Sequence, residues 1–167
     1  MPHPAGLEIE TLLSQCEIRR LRRSGPGGQH RNKVETAVVI CHQPTGICGE
    51  ASERRSQFQN QQKAIGRLRI KLALAVRDTR CDKASPSPLW ESRRTGTGIS
   101  VSAAHDDFPE ILAEALDVLE ANEWDAKASA DHLNVSATQL VKLLRREPKA
   151  LAQLNVHRQQ QGLTPLL

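Results

Sequence analysis

Apolar positions change their period several times along the chain. Residues 7–15 (GLEIETLLS) carry Leu7, Leu12 and Leu13 in a weak helical pattern. Cys16 to Arg22 (CEIRRLR) reads as a strand with Cys16, Ile18 and Leu21 on its apolar side, the alternation slipping at Leu21. Val34 to His42 (VETAVVICH) is rich in β-branched residues and predicts a second strand. Gln43-Pro44-Thr45-Gly46 supplies a turn, and Ile47 to Ala51 returns as the other arm of a hairpin. From Ser56 the period lengthens. Ser56 as N-cap with Gln59 three residues on opens a long helix. Phe58, Ile65, Leu68, Leu72 and Ala75 or Val76 fall on one face of it, with Lys63, Arg67, Lys71 and Arg77 on the other. These elements predict an α/β (α+β) fold, a small mostly antiparallel sheet packed by one long helix.

Periodicity stops at residues 82–104 (DKASPSPLWESRRTGTGISVSAA), a stretch rich in Pro, Ser, Gly and Thr that reads as a flexible linker. Beyond it Asp107 is placed to cap a helix with Pro109 in its first turn and a stripe of Ile111, Leu112, Ala115, Leu116 and Leu119. A short helix follows from Asp125 to Leu133, and Asn134-Val135 turns the chain. Ser136 with Gln139 opens a third helix whose Leu140, Val141 and Leu144 face inward. Pro148 opens a last helix toward His157. The expected organisation is a domain over residues 1–81, the linker over 82–104, and a helical module of helix-turn-helix outline over 105–167.

Charge sharpens that division. Residues 1–104 hold 17 Lys and Arg against 9 Asp and Glu, whereas residues 105–167 hold 6 against 10. The first part suits a polyanion and the second does not. No stretch approaches the roughly 20 apolar residues that span a bilayer. The acidic start MPHPAGLEIE does not read as a secretory signal. The expectation is a cytoplasmic monomer with no membrane partner. Cys16, Cys41, Cys48 and Cys81 lack any usual zinc spacing and read as reduced thiols. Cys41, His42 and Cys48 lie on facing hairpin arms with Cys16 nearby, but a metal site needs four well-placed ligands. No metal and no cofactor are expected.

The run Ser24-Gly25-Pro26-Gly27-Gly28-Gln29-His30-Arg31-Asn32-Lys33 separates the first two strands. A Gly- and Pro-rich segment there is ordinarily only a turn. This one is longer than a tight hairpin needs. Arg19, Arg20, Arg22, Arg23, Arg31 and Lys33 form a cationic collar around it. Adjacent glycines before a single long amide also permit backbone angles, without bulk, that suit a loop reaching into a narrow place.

The run Ser24 to Ala37, SGPGGQHRNKVETA, resembles the signature of class I peptide chain release factors, whose Gly-Gly-Gln tip enters the peptidyl transferase centre. The likeness continues through His42 to Ile47 (HQPTGI) and Arg55 to Asn60 (RSQFQN), and covers roughly residues 7–80. Arg31 stands where many release factors have an apolar residue. The resemblance implies hydrolysis of the ester joining a nascent peptide to P-site tRNA, with Gly27, Gly28 and Gln29 as catalytic residues. In that family the glutamine's backbone N–H faces the developing oxyanion and its side chain helps place water. Gln29 is by the same token a candidate for N5-methylation by a glutamine methyltransferase. The implied partners are the ribosome, through its large-subunit RNA, and peptidyl-tRNA. Arg22, Arg23, His30, Arg31, Asn32, Lys33, Arg54, Arg55, Lys63 and Arg67 are the candidate RNA contacts. His30 is read as support for the loop rather than as a base.

Release factors also read a stop codon through a separate domain, for which this chain shows no region. A stand-alone hydrolytic domain resembles ribosome-rescue factors, although the acidic C-terminal part differs from the basic tail such factors often carry. The alternative function is a non-catalytic ribosome- or RNA-binding regulator. For residues 105–167 the readings are DNA recognition through Thr138, Gln139, Lys142, Arg145 and Arg146, docking to RNA or the ribosome, or a protein-contact or structural role.

Overall fold

In a computed structural model of the chain, the described residues are 2–22, 36–78 and 85–167. They divide into two compact units, Met1–Leu72 and Ala73–Leu167. No described helix is long and apolar enough to cross a membrane.

The first unit contains helix α1 (Ile9–Ser14), strands β1 (Cys16–Leu21), β2 (Ala37–His42) and β3 (Ile47–Ala51), and most of helix α2 (Gln57–Ala75). The sheet is antiparallel in the order β1-β2-β3, with Leu21 opposite Ala37 and Val38 opposite Ala51. Gly46, at φ 70°, makes the β2–β3 turn, and its N–H donates to the His42 carbonyl at 2.8 Å. Ala37, Val38 and Ile40 of β2 and Ala51 of β3 are buried together with Ala64, Ile65, Leu68 and Leu72 of α2. Helix and sheet therefore form the expected mixed fold.

Two apolar assignments fail. On β1, Ile18 and Leu21 remain 39% and 42% exposed; β1 is an edge strand whose other four residues include Glu17, Arg19 and Arg20. Charge along such an edge discourages pairing with another chain. On α2, Phe58 is 69% exposed. Ile65, Leu68 and Leu72 are buried as expected, and the first turn of the face is supplied by Asn60 and Ala64 rather than by Phe58. A polar residue at the head of that stripe is invisible to a purely apolar reading. Ser56 caps the helix as expected, its Oγ accepting from the Gln59 N–H at 3.3 Å.

The second unit contains α3 (Pro88–Arg93), a small hairpin of β4 (Arg94–Thr95) and β5 (Gly98–Ile99), then α4 (Phe108–Ala121), α5 (Ala126–His132), α6 (Ala137–Arg145) and α7 (Pro148–Gln160). Ten of the fourteen residues of α4 are buried, which makes it the central helix of the unit. Leu140, Leu143 and Leu144 anchor α6, with Val141 only half-buried. Asn134 adopts φ 55°, the left-handed turn expected between α5 and α6.

The flexible linker expected over 82–104 is corrected in its described part. Ser87 caps α3 by accepting from the Trp90 N–H at 3.0 Å, with Pro88 in the first helical turn. The Ser87 N–H and hydroxyl donate to the Glu114 carboxylate at 2.7 and 2.5 Å. Trp90 is fully buried and its Nε1–H donates to the Leu133 carbonyl at 2.9 Å. One buried tryptophan and one cap thus convert a loop-like composition into packed structure. Asp107 stands at the N-cap of α4 with Pro109 in the first turn, as expected, but its side chain makes no capping bond and pairs with Arg93. Arg77, expected on a basic outer face, is half-buried and closes the end of α2, donating to the carbonyls of Ala73 and Leu74 at 2.8 Å each.

Candidate functional site

Gly27, Gly28 and Gln29, with Arg23, His30, Arg31, Asn32 and Lys33, lie outside the described residues. The structure does define the two roots from which their segment departs. β1 ends at Leu21 and β2 begins at Ala37, and these two residues are partners in the ladder. Residues 22–36 therefore connect two paired strand ends at one end of the sheet.

The β2 root is held by Asn60 of α2, which is buried. Its Nδ2 donates to the Thr36 carbonyl at 2.6 Å and to the Arg54 carbonyl at 2.9 Å, while its Oδ1 accepts from the Arg54 N–H at 2.9 Å. One amide side chain thus fastens the β2 root, the β3–α2 turn and the helix to each other. Apolar periodicity gave no sign of this role. The available signal was that Asn60 closes RSQFQN, one of the segments through which the release-factor likeness continues.

The described candidate cations fall into two groups. Arg22 at the end of β1 and Arg54 and Arg55 in the β3–α2 turn are exposed. The clamp places Arg54 beside the β2 root. Lys63 and Arg67 sit along α2 and share Glu53, at 3.3 and 2.5 Å. Arg67 also donates to the Glu50 carbonyl at 2.8 Å. Glu53 is pushed down to about 2, chiefly by backbone N–H donation, with smaller help from Arg67 and Lys63. Lys63 and Arg67 are thus partly neutralised, whereas Arg54 and Arg55 share no ion pair with Glu53 among the described residues.

Chemistry-bearing residues at the opposite end of β2 are structural. His42 is buried, and its Nε2–H donates to Gln15 Oε1 at 3.0 Å while Nδ1 accepts from the Thr45 hydroxyl at 2.8 Å. Burial lowers its pKa, which favours this neutral ring. The reading of Cys41 and Cys48 as reduced thiols is corrected. Register sets them directly opposite each other, and they form a disulfide with Cα atoms 4.0 Å apart. Cys16 is free and half-buried, and burial raises its pKa. Cys81 lies outside the described residues.

The chain matches the RF-1 domain over residues 6–102, which takes in the sheet, α2, α3 and the β4–β5 hairpin. It is 38% identical over 98 residues to peptide chain release factor 1 of Acidiphilium cryptum, covering 59% of this chain and 27% of that protein. It is 44% identical over 72 residues to peptide chain release factor 1 of Aquifex aeolicus, and 46% over 72 residues to that of Mycoplasma genitalium. Those two matches each cover 43% of this chain and 20% of the relative. This chain therefore spans about a quarter or less of the length of these relatives. With more than half of its residues inside the family match, the chain belongs to the RF-1 domain family.

Proposed function

We propose that this protein hydrolyses the ester bond of peptidyl-tRNA on the ribosome. The observation that carries the reading is the family match over residues 6–102, within which GPGGQHRNKVETA joins two paired strand ends. Attack of water on the ester carbonyl builds negative charge on oxygen. A preorganised backbone N–H directed at that oxygen is worth about 3 kcal/mol, and the N–H of Gln29 is assigned this task. Gly27 and Gly28 supply backbone freedom without bulk, so water has room beside the tip. The neutral Gln29 side chain positions water and requires no base from this chain. Arg22, Arg54 and Arg55, with the collar of Arg23, Arg31 and Lys33, neutralise ribosomal RNA phosphates and fix the approach.

The finer proposal is that hydrolysis proceeds without a stop codon, as in rescue of stalled ribosomes. It rests on the resemblance read in the sequence alone, the relatives reported above being peptide chain release factor 1. The test uses ribosomes carrying labelled peptidyl-tRNA in the P site and an empty A site, on truncated and on intact messages. Wild type releases peptide on the truncated message without a stop codon, and Gln29→Ala slows release by on the order of 100-fold. Equal slow release by both proteins leaves a ribosome-binding regulator and removes the hydrolase. Release only at a stop codon removes the rescue role while preserving the chemistry.

A further inference from the structure

We propose that the unit Ala73–Leu167 carries a docking groove for an acidic peptide segment with leucine-type side chains. A concavity of about 470 Å³ is bordered by α5, α6, α7 and residues 161–167, all within this one unit. That volume lies in the range of sites that enclose several side chains.

Charge is segregated on this unit in a way composition hides. Residues 105–167 hold six Lys and Arg against ten Asp and Glu. Four of the six cations, Lys127, Lys142, Arg145 and Arg158, line the groove, against a single carboxylate, Asp125. Asp125 is occupied at the N-terminus of α5, accepting from the N–H groups of Lys127 and Ala128 at 2.8 and 3.0 Å. Lys142 and Arg145 are exposed, and no ion pair involves either among the described residues. An acidic module that gathers its positive charge around one hollow is complementary to an acidic ligand.

The floor determines which acidic ligand. Its apolar lining comes from Val141 of α6 and from Leu163, Leu166 and Leu167. The wall made by the last residues is built rather than loose. Asn155 donates to the Leu166 carbonyl at 2.9 Å and accepts from the Leu166 N–H at 2.7 Å, and Arg158 donates to the Thr164 carbonyl at 3.0 Å. Despite this anchoring, Leu163 stays 47% and Leu167 93% exposed. Trp124 is buried and stacked on His157 at 4.2 Å, so its ring is already engaged and is not offered to a nucleic-acid base. A helix that reads DNA lies in the major groove with its side chains on base edges; here Lys142 and Arg145 of α6 are exposed and line a hollow together with Val141, Leu163, Leu166 and Leu167. Leucine-type side chains fill that hollow while flanking carboxylates meet the rim, as an amphipathic segment does in a groove.

The test uses the full chain and a fluorescein-labelled peptide of about twelve residues, with leucines spaced for one helix face and glutamates elsewhere. Fluorescence anisotropy is expected to show saturable binding. Lys142→Glu with Arg145→Glu weakens it about tenfold or more, and Leu163→Asp with Leu167→Asp does likewise. Both pairs of positions are exposed, and an unchanged thermal melt shows that the fold is kept. A peptide with lysines in place of the glutamates does not bind. Absence of binding by the acidic peptide overturns the proposal, as does binding unchanged by both double variants. Tighter binding of a single-stranded RNA or duplex DNA of similar length, lost with Lys142→Glu and Arg145→Glu, overturns it in favour of a nucleic-acid surface. No ribosome enters this assay, so its outcome is independent of peptide release.

Discussion

At Asn60 a single side chain couples the candidate site to the helix beneath it. Its amide satisfies the carbonyls of Thr36 and Arg54 and the N–H of Arg54, none of which belongs to a helix or strand ladder. Buried backbone groups without partners are costly, which explains an asparagine in an otherwise apolar stripe. Asn60→Ala removes all three bonds and opens a small space, so stability should fall by about 2–3 kcal/mol, read as a lower urea midpoint. Under the proposed function, peptide release should fall further than stability explains, because the β2 root is no longer fixed. Asn60→Asp keeps an acceptor for the Arg54 N–H but offers the two carbonyls no donor at neutral pH, and should be no better than alanine. Equal stability of wild type and Asn60→Ala would remove the clamp from the account.

The contact of β3 with α2 depends on Gly49. A Cβ there would stand 2.2 Å from the Ala64 carbonyl oxygen and 2.6 Å from the Leu68 backbone nitrogen. Both obstacles are helix main chain, which no change of rotamer relieves. Gly49→Ala should therefore cost roughly 3 kcal/mol, with a thermal melt recording the loss. Gly66→Ala, on the same helix with nothing near the added Cβ, serves as the tolerated control. β2, α2 and the α5–turn–α6 unit were legible in the sequence because their signals are local: a β-branched run, serine caps, and an asparagine where the chain turns left-handed. Others depended on partners distant in sequence. Composition around Ser87-Pro88 reads as loop until Trp90 finds the Leu133 carbonyl, 43 residues away. Cys41 and Cys48 are a disulfide pair only because register sets them opposite each other, and the first turn of α2 buries the polar Asn60 where Phe58 was expected. The catalytic candidates rest on the motif alone and lie outside the described residues, whereas the Asn60 clamp required coordinates.

Across the whole molecule, charge is distributed by task. Residues 1–104 carry a net +8 and residues 105–167 a net −4. If the first part grips ribosomal RNA, binding releases counterions and log K falls linearly with log salt, with a slope set by the phosphates contacted. Not every arginine contributes equally to that slope. Arg67 already has Glu53 at 2.5 Å, so its removal takes away a cation that is partly neutralised and leaves the carboxylate to Lys63 and the Ser52 N–H. Arg54 and Arg55 are exposed in the turn held by Asn60. Replacing both with alanine should reduce the salt slope by about 2, measured by titrating labelled protein with ribosomes between low and moderate salt. Lys142→Glu with Arg145→Glu should leave the slope unchanged, because those cations serve the acidic-peptide groove. A slope that responds to the α6 pair and not to the turn pair would reverse the assignment, placing the ribosome contact on the helical module despite its net negative charge.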